Sequence, residues 1–282
     1  MYCSNNATKN NDVKDLVRAG YAAIATGKRT SCCGSNQRPS HADTIMLAEA
    51  VGYSTETLAK LPDGANMGLS CGNPIAIAAL QEGQIVLDLG SGGGFDVFLA
   101  GEKVKASGRV IGVDMTPEML VKARKNIEQY RQRTGLDNVE FRLGEIEYLP
   151  VPDFSVDVVI SNCVINLSPD KHQVWRDVFR VLKQGGTVSV SDIALLKPLP
   201  DNIRDISTAL LGCVAGAVLI EETKSMLESI GFESIVMTPK TDYVRNMLKW
   251  NDPLYKQLSE IIQEGEELTD YVVSLDIKAR KL

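Results

Sequence analysis

Short apolar runs alternate with amphipathic stretches along the middle of the chain. The runs are rich in β-branched residues and predict buried strands, while the stretches repeat apolar residues every three or four positions and predict helices. The predicted strands are Ile85–Leu89, Arg109–Val113, Val139–Leu143, Val156–Ser161 and Thr187–Asp192. The predicted helices are Phe95–Ala106, Pro117–Thr134 and Lys171–Leu182. This alternation indicates an α/β fold with a parallel sheet that is covered by helices on both faces.

The segment before this core is predicted to be helical and irregular. Residues 1–11 are small, polar and rich in Asn, which is typical of a disordered tail. The predicted helices are Asp12–Ala25, Asp43–Val51, Thr55–Ala59 and Ile75–Leu80. They are separated by a polar loop, Thr26–Ser40, and by an irregular stretch rich in Pro, Gly and Asn, Leu61–Pro74.

The segment after the core is predicted to close the sheet. Two predicted helices, Asn202–Ala217 and Glu221–Ile230, precede two predicted strands, Ser234–Met237 and Tyr271–Arg280. The last strand alternates apolar and polar residues, as an antiparallel edge strand would. These patterns predict an N-terminal helix and cysteine-containing loop region (1–74), a core (75–195) and a helical segment with closing strands (196–282).

Composition and charge argue against several classes of protein. The 282 residues carry a net charge of −6, whereas a nucleic-acid-binding surface is usually basic. No apolar run reaches the roughly 18 residues that span a membrane, and the polar N-terminus lacks the apolar segment of a secretory signal. We therefore expect a cytoplasmic protein with no nucleic-acid or membrane partner, whose six cysteines do not form a disulfide framework. With only His41 and His172, a histidine-based metal site is not expected.

A glycine-rich loop follows the first predicted strand. The run VLDLGSGGGFD at residues 86–96 places four glycines where the backbone can turn tightly and approach a ligand. Asp88 lies inside the strand, where a dinucleotide-binding fingerprint is normally apolar. Asp114 ends the next strand, where a carboxylate can accept hydrogen bonds from ribose hydroxyls. These positions are carboxyl ends of parallel strands, where open α/β sheets bind ligands.

This set of residues resembles the class I S-adenosylmethionine-dependent methyltransferases. The resemblance implies a Rossmann-like, mostly parallel seven-stranded sheet with an antiparallel edge strand. It also implies that the methionine end of S-adenosylmethionine lies near Asp88, the ribose on Asp114 and the adenine against Met115 and Glu147. The cofactor-binding residues assigned on this basis are Asp88, Gly90, Ser91, Gly92, Asp114, Met115, Ile146, Glu147 and Asn162. A dinucleotide- or ATP-binding loop is the alternative.

Several cysteines lie at positions that favour a chemical role. Cys163 directly follows the fourth predicted strand, where a methyltransferase presents its acceptor. Cys71 and the pair Cys32 and Cys33 lie in polar, glycine-containing loops, and Cys213 has glycines nearby that let other groups approach it. The alternative for any one cysteine taken alone is a small buried hydrophobic residue.

The cysteine-containing segments resemble those of arsenite S-adenosylmethionine methyltransferases over roughly residues 12–240. The matching segments are Thr30–Cys33, Cys71–Gly72, Leu87–Gly92, Gly112–Met115, Ile146–Glu147, Ser161–Leu167 and Cys213 with Gly216–Ala217. The resemblance implies that As(III) binds to Cys71, Cys163 and Cys213. A fourth cysteine, aligned with Cys33 and adjacent to Cys32, is implied to take part in disulfide chemistry, as in a Cys33–Cys71 pair.

The resemblance therefore implies an enzyme that methylates trivalent arsenic in a detoxification role. Thiolates are good ligands for soft centres, and thiolate-bound As(III) keeps a lone pair that can attack a sulfonium methyl. The enzyme would mainly align donor and acceptor, and no general base is needed. The implied partners are arsenite, methylated trivalent arsenicals and a thiol reductant, glutathione or thioredoxin, which would reduce the disulfide formed during turnover.

Two other functions fit parts of the pattern. A methyltransferase for a small organic acceptor, such as a quinone or a phenol, would share the glycine-rich loop and carry incidental cysteines. A thiol-based metalloid- or zinc-binding protein would keep the cysteines on a non-catalytic core. The intact set of Asp88, Gly90 and Asp114 argues against the second of these, and structural zinc sites usually draw on close cysteine pairs.

Overall fold

Seven strands form the centre of the described structure, a computed structural model that describes residues 3–28, 41–200, 203, 213–263 and 265–282. Their order in the sheet is β3-β2-β1-β4-β5-β7-β6. The strands are β1 (Ile85–Leu89), β2 (Arg109–Asp114), β3 (Val139–Leu143), β4 (Val156–Asn162), β5 (Leu182–Leu195), β6 (Phe232–Lys240) and β7 (Val272–Lys281). Strands β1 to β5 pair in parallel, whereas β7 runs antiparallel to both of its neighbours.

Helices precede, connect and follow these strands. In chain order they are α1 (Cys3–Ala25), α2 (His41–Ala50), α3 (Thr55–Leu58), α4 (Pro74–Ala78), α5 (Phe95–Val104), α6 (Pro117–Thr134), α7 (Lys171–Val181), α8 (Ile220–Ile230), α9 (Asp242–Lys249) and α10 (Pro253–Ile261). Single turns of 3-10 helix lie at Ile165–Leu167 and Leu268–Asp270. Within the part of the chain described above, no helix is long and apolar enough to cross a membrane.

The central strands of the sheet are buried on both faces, as their near-continuous apolar sequences predict. Successive residues of a strand point to opposite faces. Leu87 and Leu89 of β1 pack in one hydrophobic cluster with Trp175 of α7, whereas Val86 packs in another with Phe98 of α5. The predicted class of fold is therefore confirmed, with the helices α5 and α7 belonging to the two different layers.

The helices and strands predicted between residues 85 and 182 begin and end close to where the structure has them, whereas β5 begins at Leu182 and not at the predicted Thr187. The elements outside this region agree less well with their predictions. β1, β3 and α6 match their predictions residue for residue. Helix α1 begins at Cys3, inside the tail that was predicted to be disordered. Helices α9 and α10 were missed, although an aspartate before a proline, Asp252–Pro253, is a typical helix start and the Asp252 side chain caps α10.

The predicted antiparallel strand exists, but it does not form the edge of the sheet. β7 lies between β5 and β6, so β6 is the edge strand. Residues Val272–Ile277 are all buried, because a strand inside a sheet that is covered on both faces has no solvent-facing side. The alternation along β7 was therefore not a sign of an exposed face.

The predicted helix Asn202–Ala217 is wrong at its C-terminal end, whereas Ile203 is helical as predicted. Residues 213–217 form turns, and Cys213 has a left-handed backbone with φ 64°. A left-handed residue ends a helix, because it breaks the repeating helical geometry. The rest of that prediction, apart from Ile203, lies outside the described residues.

Candidate active site

A large cavity opens at the carboxyl ends of β1, β2 and β4. Its volume is about 1010 Å³, which includes its open mouth. All the residues assigned to the cofactor line it: Asp88, Gly90, Ser91, Gly92, Asp114, Met115, Ile146, Glu147 and Asn162. The structure therefore brings the whole assigned set together around one space, which we call the donor cavity.

Asp114 organises the glycine-rich loop as well as facing the donor cavity. Its carboxylate accepts hydrogen bonds from the backbone N–H of Gly92 at 2.9 Å and from that of Thr116 at 2.8 Å. Burial raises the pKa of Asp114, and these two backbone hydrogen bonds oppose that rise because they favour the ionised carboxylate. One side chain thus connects the end of β2 to the loop after β1.

Two further buried carboxyl groups lie in the same cavity. Burial raises the pKa of Asp88 well above its usual range, and the nearby charges of Asp96 and Asp114 add to the rise. Burial also raises the pKa of Asp96 to about 6, against the effect of hydrogen bonds from Tyr53 and Asn162. Closely spaced buried carboxylates repel each other, so this wall of the cavity favours a cationic ligand.

Helix α1 closes one side of the donor cavity, a contribution that the sequence did not reveal. Val17 and Tyr21 line the cavity, and Val17 is fully buried. The Lys14 ammonium contacts Glu145 at 2.7 Å and Glu147 at 3.2 Å. The Glu147 carboxylate also accepts a hydrogen bond from the Ser168 hydroxyl at 2.6 Å. Glu147, which was predicted to lie at the edge of the adenine, thus contacts both Lys14 and Ser168.

The three cysteines predicted to bind arsenic meet beside this cavity. Cys163 lines the cavity and is joined to Cys71 by a disulfide, with a Cα–Cα distance of 5.9 Å across a sequence separation of 92 residues. Cys213 is a buried thiol, and its sulfur donates to the backbone carbonyl of Cys163 at 2.9 Å. Cys32 and Cys33 lie outside the described residues, so their roles stay predictions.

The disulfide differs from the pairing that the resemblance implied. The structure joins Cys71 to Cys163, whereas the implied partner of Cys71 was Cys33. The physical reason is that the loop of Cys71 lies against the end of β4, with Cys163 as the next residue along the chain. A bonded pair of sulfurs offers no thiolate, so a soft ion can bind here only after reduction.

The site also includes a carboxylate that the sequence analysis missed. Ligand atoms of Cys71, Cys163 and Asp192 lie within 4.8 Å of one another, a group to which Cys213 does not belong. Asp192 accepts hydrogen bonds from Ile165 N–H, Ile193 N–H and the Asn166 backbone and side chain. Burial raises the pKa of Asp192 to about 6. Asp192 thus fixes the turn after Cys163, and the signal in the sequence was an acidic residue at the end of the predicted apolar strand Thr187–Asp192.

Close backbone approach brings the cysteine segments together. A Cβ atom on Gly216 would lie 2.0 Å from the carbonyl oxygen of Asn166, so only glycine lets the turn of Cys213 touch the turn after Cys163. A Cβ on Gly72 would lie 2.3 Å from the Cβ of Ser191 on β5. Each of these close contacts depends on a glycine within three residues of a cysteine. The sequence shows that a glycine is near the cysteine, but it does not show which distant segment the glycine contacts.

Tyr53 and Asp96 are both buried, and both contact Asn162, the residue before Cys163. The Tyr53 hydroxyl donates to the Asp96 carboxylate at 2.5 Å, and the Asn162 amide donates to the same carboxylate at 3.1 Å. Asp96 was visible as an acidic residue in the first turn of an apolar helix that follows the glycines. Tyr53 gave no sequence signal, because it lies 43 residues before its partner.

Comparison with known proteins gives consistent matches. Residues 80–231 match the family model described as a methyltransferase domain. The arsenite methyltransferase of Halobacterium salinarum is 43% identical over 278 residues, which are 96% of this chain and 67% of that protein. The arsenite methyltransferase of Aquipseudomonas alcaligenes is 36% identical over 208 residues, which are 73% of this chain and 56% of that protein.

A solved structure agrees with both matches. The crystal structure of an arsenic(III) S-adenosylmethionine methyltransferase from Chlamydomonas reinhardtii superposes with a TM-score of 0.58 and 31% identity, over 83% of this chain and 72% of that one. This chain is shorter than these relatives and spans 56% of the length of the protein from Aquipseudomonas alcaligenes. The fold and the sequence agree, and the chain belongs to the arsenite methyltransferase family of S-adenosylmethionine-dependent methyltransferases.

Proposed function

We propose that this chain transfers a methyl group from S-adenosylmethionine to trivalent arsenic held by cysteine thiolates. The observation that carries the proposal is the convergence of Cys71, Cys163 and Cys213 beside the donor cavity. These residues come from three distant segments, which a set of incidental buried cysteines would not explain. The names of the two relatives compared above support arsenite as the acceptor.

The residues of the donor cavity fit S-adenosylmethionine. The buried carboxyl groups of Asp88 and Asp96 suit its cationic methionine end, and the carboxylate of Asp114, which also lines the cavity, would accept hydrogen bonds from the ribose. The buried hydroxyl of Ser91 has no hydrogen-bond partner among the described residues, so it is available to a ligand. When bound, S-adenosylmethionine supplies an electrophilic methyl group toward which the lone pair of thiolate-bound As(III) is reactive.

Reduction of the Cys71–Cys163 disulfide prepares the acceptor site. Two electrons and two protons convert the disulfide into two thiols. Each thiol that then binds arsenite gives its proton to an arsenic hydroxyl, which leaves as water. Cys213 becomes the third ligand by rotating away from the carbonyl of Cys163 that it now contacts. The reductant is glutathione or thioredoxin, with Cys33, or its neighbour Cys32, as the partner in thiol exchange.

A transfer assay with arsenite tests the proposal. The reduced protein is incubated with labelled S-adenosylmethionine, arsenite and a thiol reductant, and methylated arsenic is measured for the wild type and for Cys163→Ser. We expect methylated product from the wild type and at least about a hundredfold less from the variant, because a misplaced reacting group loses about that factor. Donor affinity should be equal in both proteins, because Cys163→Ser leaves the carboxylates of the cavity unchanged.

A control variant distinguishes the effect of removing any cysteine from the effect of removing a proposed arsenic ligand. Cys3→Ser removes a cysteine that belongs to none of the assigned sets, and we expect wild-type activity from it. Absence of methylated arsenic from the wild type, with normal donor binding, would refute arsenite as the acceptor and favour a small organic acceptor.

A further inference from the structure

One side-chain amide contacts both the loop of Cys71 and the donor cavity. Asn162 is the last residue of β4 and lines the cavity beside Cys163. Its Oδ1 accepts the backbone N–H of Cys71 at 3.1 Å, and its Nδ2 donates to the carbonyl oxygen of Gly72 at 3.0 Å. The amide of Asn162 therefore forms hydrogen bonds to both Cys71 and Gly72, although Asn162 is about ninety residues from them in the chain.

The orientation of this amide is set from the donor side. The Asp96 carboxylate accepts from Asn162 Nδ2 at 3.1 Å, and the Tyr53 hydroxyl oxygen accepts from the same nitrogen at 3.3 Å. With acceptors around its nitrogen, the amide can present only its oxygen to Cys71. Tyr53 in turn donates to Asp96 at 2.5 Å, and its ring packs edge-on against Phe95 with a centroid distance of 4.8 Å.

Cys71 depends on such contacts because it lies in an irregular segment. It precedes helix α4 and belongs to no helix or strand. Its carbonyl accepts a hydrogen bond from the Ser274 hydroxyl at 2.9 Å, which ties it to β7. The hydrogen bond from its N–H to Asn162 leads from Cys71 to the carboxylate of Asp96 in the donor cavity.

We propose that Asn162, oriented by Asp96 and Tyr53, is a positioning residue that fixes the Cys71 sulfur relative to the donor cavity. This role differs from direct cofactor binding, which the sequence assigned to Asn162. The proposal rests on the proposed function, since it takes Cys71 as an arsenic ligand. Its physical basis is that small displacements of reacting groups are costly for transfer, so a shared amide keeps the acceptor in place.

Cysteine-specific alkylation of the reduced, donor-free protein tests the contact without any methyl transfer. The rate of iodoacetamide labelling is measured for each cysteine by peptide mass spectrometry. We expect Asn162→Ala and Tyr53→Phe to raise the rate at Cys71 at least about threefold and to leave Cys213 unchanged. Tyr130→Phe is the matched control, because it removes another buried tyrosine hydroxyl, bonded to Asn138 at 2.8 Å, outside the donor cavity.

Single-turnover methyl transfer at saturating donor and arsenite tests the consequence. We expect Asn162→Ala to slow transfer about a hundredfold and Tyr53→Phe about tenfold, since saturating donor removes any effect of the variants on donor affinity. The double variant should be no slower than Asn162→Ala alone, because residues that act in one network are not additive. Tyr53→Phe keeps the test decisive even if Asn162→Ala does not fold.

Several results would overturn the proposal. They are an unchanged labelling rate at Cys71 in Tyr53→Phe, an equal rise at Cys71 and Cys213, or a wild-type rate of transfer by Asn162→Ala at saturating donor. A wild-type protein that makes no methylated arsenic refutes the proposed function instead, and the labelling rates still decide the role of Asn162.

Discussion

The donor side and the thiol side of the site are built in different ways. On the donor side, Asp88, the glycines and Asp114 lie within one continuous stretch, residues 88–114, and meet because β1 and β2 are adjacent parallel strands. On the thiol side, Cys71 and Cys163 are 92 residues apart, and Cys213 lies 50 residues beyond Cys163. The donor side is centred on a local sequence motif, whereas the thiol side joins three distant segments of the chain. Substitutions that do not touch a cysteine should therefore disrupt the thiol side more easily than the donor side.

The two sides also differ in charge. The donor side buries three carboxyl groups whose pKa values are raised by burial, which suits a cationic ligand. The thiol side brings the sulfur atoms of Cys71 and Cys163 together with the carboxylate of Asp192, and sulfur ligands suit a soft acceptor. Substitutions on one side should therefore leave binding on the other side almost unchanged.

The largest effect is expected from a change that touches no thiol. In Gly216→Ala, the new Cβ would lie 2.0 Å from the Asn166 carbonyl, so the turn of Cys213 must move away from the turn after Cys163. We expect single-turnover arsenite methylation to fall about a hundredfold, with unfolding free energy lowered by about 1–3 kcal/mol. Donor affinity, measured by calorimetry, should not change.

Gly135→Ala is the control for this change. Gly135 follows α6, and a Cβ there would meet no atom within 4 Å. We expect a stability loss near 1 kcal/mol from its left-handed backbone and normal methylation. Normal methylation by Gly216→Ala would show that the thiol side does not depend on the close approach of the two turns.

A somewhat smaller effect is expected on the donor side. Asp114→Ala removes the acceptor for Gly92 N–H and the proposed acceptor for the ribose, and hydrogen bonds to charged groups contribute about 1.5–3 kcal/mol. We expect donor affinity to weaken about 10- to 100-fold, measured by calorimetry. Binding of arsenite to the reduced protein without donor should stay at the wild-type value.

Asp157→Ala is a matched control at the other end of the same sheet. Asp157 accepts a hydrogen bond from Ile85 N–H at 2.8 Å, where β1 begins. Its loss should lower stability without changing donor affinity. Equal weakening of donor binding by both variants would mean that Asp114 acts through general stability and not through the ligand.

The smallest effect is a pH dependence of donor binding. Because the pKa of Asp96 is about 6, the donor-free protein holds a proton there below that pH. A cationic ligand favours the ionised carboxylate, so binding releases the proton and affinity strengthens as the pH rises toward about 6. The limit for one proton is about tenfold per pH unit, and the contribution of Asp96 levels off above its pKa.

Calorimetric titrations from about pH 5 to about pH 7.5 measure this dependence, with Asp96→Asn as the test variant and Asp157→Asn as the control. Asp96→Asn should flatten the dependence, and Asp157→Asn should keep it. A wild-type affinity that does not vary over this range would contradict the charge difference between the two sides.

The sequence by itself determined the class of fold and predicted a set of residues that line the donor cavity. Apolar strands that alternate with amphipathic helices predicted β1 to β5, because burial on both faces leaves a direct trace in the hydrophobic pattern. All the assigned cofactor residues line one cavity, since strand ends of a parallel sheet necessarily meet at one edge. The identity of the important cysteines also came from the sequence, through the resemblance to a family.

Only the tertiary structure decided how the thiol side is put together. The disulfide between Cys71 and Cys163, the carboxylate of Asp192 and the contacts of Tyr53 and Asn162 all join residues that are far apart in the chain. The position of β7 inside the sheet likewise depends on pairing with β5 and β6. Hydrophobic period and local motifs record the environment of a segment, whereas the partner across a long-range contact is set by how the segments pack together.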